Sequence, residues 1–330
     1  FSSPVIWESD LSIDDYLFLF LNDNDCFSRW DSGQILMREI IKNNINKHVN
    51  YSLEYSFINA IKETIKSLEI NDSFLLSTLL TIPGLAELEP LFEKVDPINI
   101  YKESLNFQVL IGNKIHQELR VLSENILVNI NQQWPMGRGE RKLIGTIWSY
   151  LALAGDEGIK KDCVEAIVGS SMTMARSALR ALKPLDSPET EEASNLFYDL
   201  WKENPVVLDS WFAYEASRPH KQGINVIEKL LAHSKFDWKA PNAIRAVIGG
   251  FSKNIESFHS IDGQGYLFMA EKIIEVDKIN PITASRMVKI FSKWKTYIDK
   301  NKEEMYKSIL KINKANISSN TREVVELILK

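Results

Sequence analysis

Residues 240 to 268 read A-P-N-A-I-R-A-V-I-G-G-F-S-K-N-I-E-S-F-H-S-I-D-G-Q-G-Y-L-F, and their pattern decides the fold class. Pro241 has a φ fixed near the helical value and lacks an N–H that a first helical residue would leave unpaired, so it reads as a helix start. Ile244, Val247, Ile248 and Phe251 then recur at helical spacing and form one apolar stripe. Gly249-Gly250 and Asn254 loosen its end, and Asp262-Gly263-Gln264-Gly265 makes a turn before a second apolar helix near Tyr266. Arg245 lies on the border between the stripe and the polar face. A helix, a turn and a helix follow from this stretch; no chemistry does.

The same reading extends outward. Ser12 suits the cap of a helix running to Asn22, with Asp14 and Asp15 at its positive end. Residues 25–34 connect to a helix through Ile35, Leu36, Ile40 and Ile41, and 56–68 and 73–81 give further helices. Three prolines break 80–97 into short helices, after which one long pattern spans 98–131. Residues 132–139, with Pro135 and two glycines, form the clearest loop. Beyond it, Leu143 to Leu151, the stripe Val164, Ile167 and Val168, and the set Met172, Leu179 and Leu182 each read as helical. Helices over 189–203, 206–216 and 225–233 follow; Asn280 caps the one led by Pro281, and Ser319 or Asn320 caps the last. With no alternating strand of useful length, the chain is all-α: an irregular, solenoid-like superhelix of about fifteen stacked short helices.

Composition agrees. Apolar residues are 45% and charged residues 25% of the 330, as in ordinary globular proteins. Glycine, at 14 residues, is about 4% against a usual ~7%, which disfavours a turn-rich all-β fold. A net charge of −5 argues against a nucleic-acid surface, and no apolar run reaches the ~18 residues a membrane helix needs. Cys26 and Cys163 are too few for a thiolate zinc site and suit a reducing cytoplasm, a single disulfide being the alternative.

Chemical motifs are sparse. No two of the histidines at 48, 116, 220, 233 and 259 are four apart, so H-Q-E-L-R at 116–120 lacks the second ligand of a zincin helix. G-Q-G at 263–265 follows no strand and carries no Gly-Lys-Ser/Thr, and Asp262 lacks the acidic ladder of a calcium loop. His259 reads as a structural tie of the turn. The eleven Lys and Arg against five Asp and Glu from Arg286 to Lys330 read as a solvated face. Trp294 and Tyr297 read as packing residues.

The pattern P-N-x-I-R-x-x-I-G-x-F, then F-H-x-x-D-G-x-G-Y-L-F, resembles the C-terminal helical domain of bacterial aminopeptidase N, a gluzincin-type zinc metallopeptidase family. F-S-R-W-D-x-x-Q at 27–34, Asp96-Pro97, Asn280-Pro281 and Ala284-Ser285-Arg286 carry the likeness further. The departures are Ala243 where the family tends to Lys or Arg, Ala240 without a capping side chain, Gly145 after Leu143-Ile144, and Met174 after Met172-Thr173. The resemblance implies that residues 1–330 are one non-catalytic domain of a larger cytoplasmic enzyme, starting at the seam 1–5, with the catalytic domain absent from this chain. That domain would cap the active site and enclose a substrate cavity, with Arg245, Arg286 and Asn242 facing peptide substrates. It further implies no metal in this chain and one zinc in the parent. The expected partners are the enzyme's own catalytic domain and peptides, with no nucleic acid and no membrane. The alternative reading is a stand-alone helical-repeat scaffold that binds a protein.

Overall fold

The computed structural model describes residues 9–68, 72–130, 136–169, 171–220 and 223–330. The seam 1–5 and residues 132–135 of the expected loop lie outside them. The chain divides into two compact units, Phe1–Leu88 with Glu103–Ala154, and Glu89–Lys102 with Gly155–Lys330. Among the described residues there is no strand, only an isolated bridge between Val95 and Tyr297 in the second unit.

In the first unit, α1 (Ile13–Asn22) begins with a reciprocal cap: the Asp15 N–H donates to Ser12 Oγ at 3.2 Å and the Ser12 N–H to the Asp15 carboxylate at 2.8 Å. The stretch 25–34, expected as a connection, already belongs to α2 (Cys26–Ile45), because Asp25 caps it by accepting from the Ser28 N–H at 2.8 Å. Its polar residues are ties. Buried Arg29 donates from Nε to the Phe20 carbonyl at 2.9 Å, and Gln34 donates to the Thr81 carbonyl at 2.9 Å. Next come α3 (Tyr51–Ser67), α4 (Ser73–Leu79) and α5 (Leu85–Leu88). The single helix expected over 98–131 is two, α6 (Pro97–Lys114) and α7 (His116–Asn129), parted at buried Ile115 with a non-helical φ of −123°. Residues 97–102 of α6 belong to the second unit. α8 (Arg138–Leu153) starts inside the expected loop and is tied to the end of α4 by the Tyr150 hydroxyl, which donates to the Leu80 carbonyl at 2.6 Å.

The second unit continues with α9 (Glu157–Ile167), α10 (Met172–Leu182), α11 (Pro188–Trp201) and α12 (Pro205–Ser217), capped by Asp156, Ser171, Ser187 and Asn204. On α9 the buried face is Ile159, Cys163 and Ile167; Val168, expected in the stripe, is 61% exposed. After α13 (Ile224–Leu231), α14 (Pro241–Ile244) begins at Pro241 with no side-chain cap from Ala240. It widens into a π turn over Arg245–Gly249, in which the Gly250 N–H reaches the Arg245 carbonyl five residues back. Ile244, Val247, Ile248 and Phe251 are wholly buried, as their spacing predicts. Asn254 caps α15 (Ile255–Phe258), and Gly263, at φ +73°, opens α16 (Gln264–Asp277).

Asn280 caps α17 (Pro281–Val288) by accepting from the Thr283 N–H at 2.9 Å. α18 (Asp299–Lys314) and α19 (Ser319–Leu329) complete the chain. Ser318, not Ser319 or Asn320, caps α19, because the Asp277 carboxylate holds the Ser318 hydroxyl at 2.6 Å and fixes its position. Packing runs from each helix to its neighbours: α9 on α10 and α11, α11 on α12, α16 on α17 and α18, and α17 on α19. That is the order of stacked helix pairs. The described residues hold nineteen α-helical segments against the roughly fifteen that periodicity predicts, and α5, α14 and α15 are single turns too short to show a period.

One buried cluster holds the turn between α15 and α16. Asn301 Nδ2 donates to the Tyr266 hydroxyl oxygen at 2.8 Å and to the His259 carbonyl at 2.9 Å. The Tyr266 hydrogen is then free for His259 Nδ1, 2.8 Å away, which fixes a neutral imidazole with its proton on Nε2. Burial pushes His259 down to about 3. Between about pH 6.5 and 3 the unfolded chain therefore takes up a proton that the folded chain refuses, and stability falls as pH falls. His259→Gln is expected to be less stable than the wild type at pH 7, with the gap narrowing by about 3 kcal/mol at pH 4. Denaturant unfolding at both pH values checks this; a constant gap contradicts it.

Candidate functional site

Within the second unit, α10, α12, the π turn after α14 and α17 surround a cavity of about 990 Å³. This volume is at the upper end of ligand sites, which run to ~1,000 Å³. α10 supplies Arg176 and Arg180, with Lys183 just beyond its end; the spacings of four and three put all three on one helical face. Arg245 comes from the π turn, Lys253 from the segment after it, and Arg286 from α17. Leu179, Phe197, Met287 and Ile290 give the cavity apolar wall between these heads.

Six cations and no carboxylate line this space, in a chain whose net charge is −5. Among the described residues none of the six makes an ion pair with a carboxylate. Arg180 reaches only the Ser177 hydroxyl, at 3.5 Å. Arg245 donates to the Pro241 carbonyl at 3.2 Å and to the Asn242 side-chain oxygen, contacts that satisfy donors without neutralising charge. Burial first, and the Lys253 ammonium second, push Lys183 down to about 8. Arg218, elsewhere in the same unit, behaves in the opposite way. It is 4% exposed and pairs with Glu215 at 2.9 Å and Glu191 at 2.8 Å. The unit thus pairs the cation it buries in its core and leaves the cavity cations without acids.

The structure brings Arg245 and Arg286 to one cavity from helices over forty residues apart in sequence. Asn242 is exposed, is not part of the cavity wall, and serves as the tether of Arg245. The sequence reading missed Arg176, Arg180, Lys183 and Lys253. Their signal was available for α10: in A-R-S-A-L-R-A-L-K the cations recur on the helical period beside the apolar stripe. No group of three His, Cys, Asp or Glu among the described residues is placed to hold a metal ion. The described imidazoles of His220, His233 and His259 bond instead to the Glu215 carbonyl, Tyr198 and Tyr266. These residues do not fit a zinc site. Cys26 is a free, exposed thiol and Cys163 a free, buried one. No helix among the described residues is long and apolar enough to cross a membrane.

The family description "Domain of unknown function (DUF3458_C) ARM repeats" matches residues 13–330. Aminopeptidase N of Escherichia coli (strain K12) is 29% identical over 316 residues, which are 92% of this chain and 36% of that protein. Aminopeptidase N of Caulobacter vibrioides is 27% identical, over 90% of this chain and 35% of that protein. Aminopeptidase N of Haemophilus influenzae is 25% identical, over 100% and 38% respectively. The crystal structure of Legionella pneumophila aminopeptidase A in complex with aspartic acid superposes with a TM-score of 0.89 at 27% identity. It covers 99% of this chain with 40% of its own. The chain therefore spans little more than a third of the curated relatives it matches.

The cavity's electrostatics are directly measurable. An NMR titration of labelled lysines is expected to place Lys183 near 8, well below the ~10.4 of an exposed lysine. Lys253→Gln is expected to move that midpoint upward, since it removes one of the two causes. A Lys183 midpoint in the ordinary range, unmoved by Lys253→Gln, contradicts the geometry.

Proposed function

The chain belongs to the DUF3458_C family of ARM-repeat domains, and from that premise we propose that it is the non-catalytic C-terminal domain of a zinc-dependent aminopeptidase N. The parent enzyme removes N-terminal residues from peptides, and this domain caps its active site and walls the enclosed substrate cavity. The observation that carries the proposal is coverage. Three aminopeptidases N match across 90–100% of this chain, while the match takes up only 35–38% of each of them. The remaining length of such an enzyme is where a zinc site and its general base would reside.

Several features of the chain support this role. In the first unit Phe18, Phe27, Tyr51, Tyr55 and Phe74 are each more than half exposed, at 56–75%, an unusual supply of aromatic surface for docking another domain. In the second unit Arg245 and Arg286 line the cavity with no carboxylate partner among the described residues, and their guanidinium groups suit a peptide's C-terminal carboxylate or backbone carbonyls. A site in the cytoplasm accords with two free cysteines, one of them exposed. On this reading the domain, 1–330, comprises both compact units.

Two measurements test the reading. The 330-residue chain alone is expected to bind no stoichiometric zinc and to release nothing from an aminoacyl anilide; one zinc per chain with hydrolysis would overturn it. In the longer protein, Arg245→Ala or Arg286→Ala is expected to raise KM for tripeptides and longer substrates while leaving a one-residue anilide nearly unchanged. A charged hydrogen bond contributes about 1.5–3 kcal/mol, so the change should be roughly tenfold or more. Equal effects on both substrates, or none, would leave the arginines without a role in peptide binding.

A further inference from the structure

The cavity holds more charge than one peptide terminus needs. A carboxylate is satisfied by one or two arginine forks. With Arg245 and Arg286 assigned to that task, Arg176, Arg180, Lys183 and Lys253 still face the same space without a counter-charge among the described residues. Gathering like charges costs free energy: after burial, which is the larger cause, the Lys253 ammonium adds to the lowering of Lys183 basicity. Further anionic groups on a ligand relieve that cost. A compact inorganic anion fits poorly, because about 990 Å³ is many times the ~30 Å³ share of one water, and Leu179, Phe197, Met287 and Ile290 offer apolar wall between the cations. A flexible chain bearing several carboxylates on short apolar stems meets both requirements.

We propose that this cavity binds peptides through clustered Asp and Glu side chains, so that it favours acidic peptides and rejects basic ones. The inference deepens the aminopeptidase reading and rests on it only for the peptide's role as substrate, since the binding belongs to this chain. Selection is electrostatic: cationic heads carried by α10, the π turn and α17, with Lys183 the most enclosed of them, attract carboxylates and repel ammonium groups.

Calorimetric titration of the 330-residue chain tests it, with hexapeptides blocked at both ends that carry three glutamates, three glutamines or three lysines. Blocking removes the terminal carboxylate, so only side chains are compared. At low salt the glutamate peptide is expected to bind at least about tenfold tighter than its glutamine twin, and the lysine peptide not at all. Most of that advantage should vanish near 1 M salt, where the screening length is ~3 Å. Lys183→Gln with Lys253→Gln should reduce it roughly tenfold without altering the circular dichroism. If that pair disturbs folding, Arg176→Gln with Arg180→Gln, whose side chains are exposed, provides the same readout. Equal binding of the glutamate and glutamine peptides, no binding of any peptide, or an advantage unmoved by the variants overturns the proposal. Selective binding here together with a longer protein that releases no N-terminal residue would remove the aminopeptidase reading and leave this one standing. A longer protein that cleaves free-ended glutamate and glutamine peptides alike would remove this one alone.

Discussion

At residue 265 two stretches of backbone meet so closely that a Cβ would lie 2.4 Å from the Phe258 carbonyl oxygen and 2.5 Å from that of Ser257. Only a glycine allows α16 to leave α15 at this angle. The contact is locked from the other side by Tyr266, whose hydroxyl links His259 to Asn301 on α18. Much of the second unit follows from this point. α16 packs on α17 and α18, and α17 carries Arg286, while the chain just before the turn carries Arg245. A different exit angle at Gly265 would separate the two arginines and open the cavity wall.

The cavity is distinguished by what surrounds its charges. Arg218 shows how this unit treats a core cation, enclosing it with Glu215 and Glu191 and adding an Asn254 bond to its carbonyl at 2.7 Å. Of the six cavity cations, Arg180 reaches a hydroxyl and Arg245 a carbonyl and an amide oxygen, and none of the six meets an acid among the described residues. A fold that uses 44 Asp and Glu against 39 Lys and Arg does not lack partners for them. Acid-free cations around a ligand-sized space leave room for a ligand to supply the counter-charge, which is the basis of the proposal above.

How much of this was legible in the sequence depended on the range of the interaction. The buried stripe of Ile244, Val247, Ile248 and Phe251, the Ser12 and Asn280 caps and the proline-led helices are set by neighbours three or four residues away, and they stand as expected. The break at Ile115 carries no proline or glycine, and the π turn at Arg245–Gly249 departs from the 3.6-residue period on which the reading relied. Ser318 became the last cap because Asp277, forty-one residues earlier, holds it, a contact no local pattern shows. Of the proposed site, periodicity put the two arginines at the border of their apolar stripes and only family resemblance gave them a role, while Asn242 lies outside the cavity lining and accepts a hydrogen bond from Arg245. The cationic face of α10 was written in its spacing but read only for its apolar residues.

The central claim is that this cavity forms a wall of a peptide chamber in a larger enzyme. A slowly cleaved peptide bearing a photoreactive group on its last residue, irradiated in the longer protein, tests that most directly. The account predicts adducts on the cavity wall, near Arg180, Arg245 or Arg286, and their loss when an unlabelled peptide competes. Adducts that fall wholly outside α10, α14 with its π turn and α17, or that persist under competition, would contradict it.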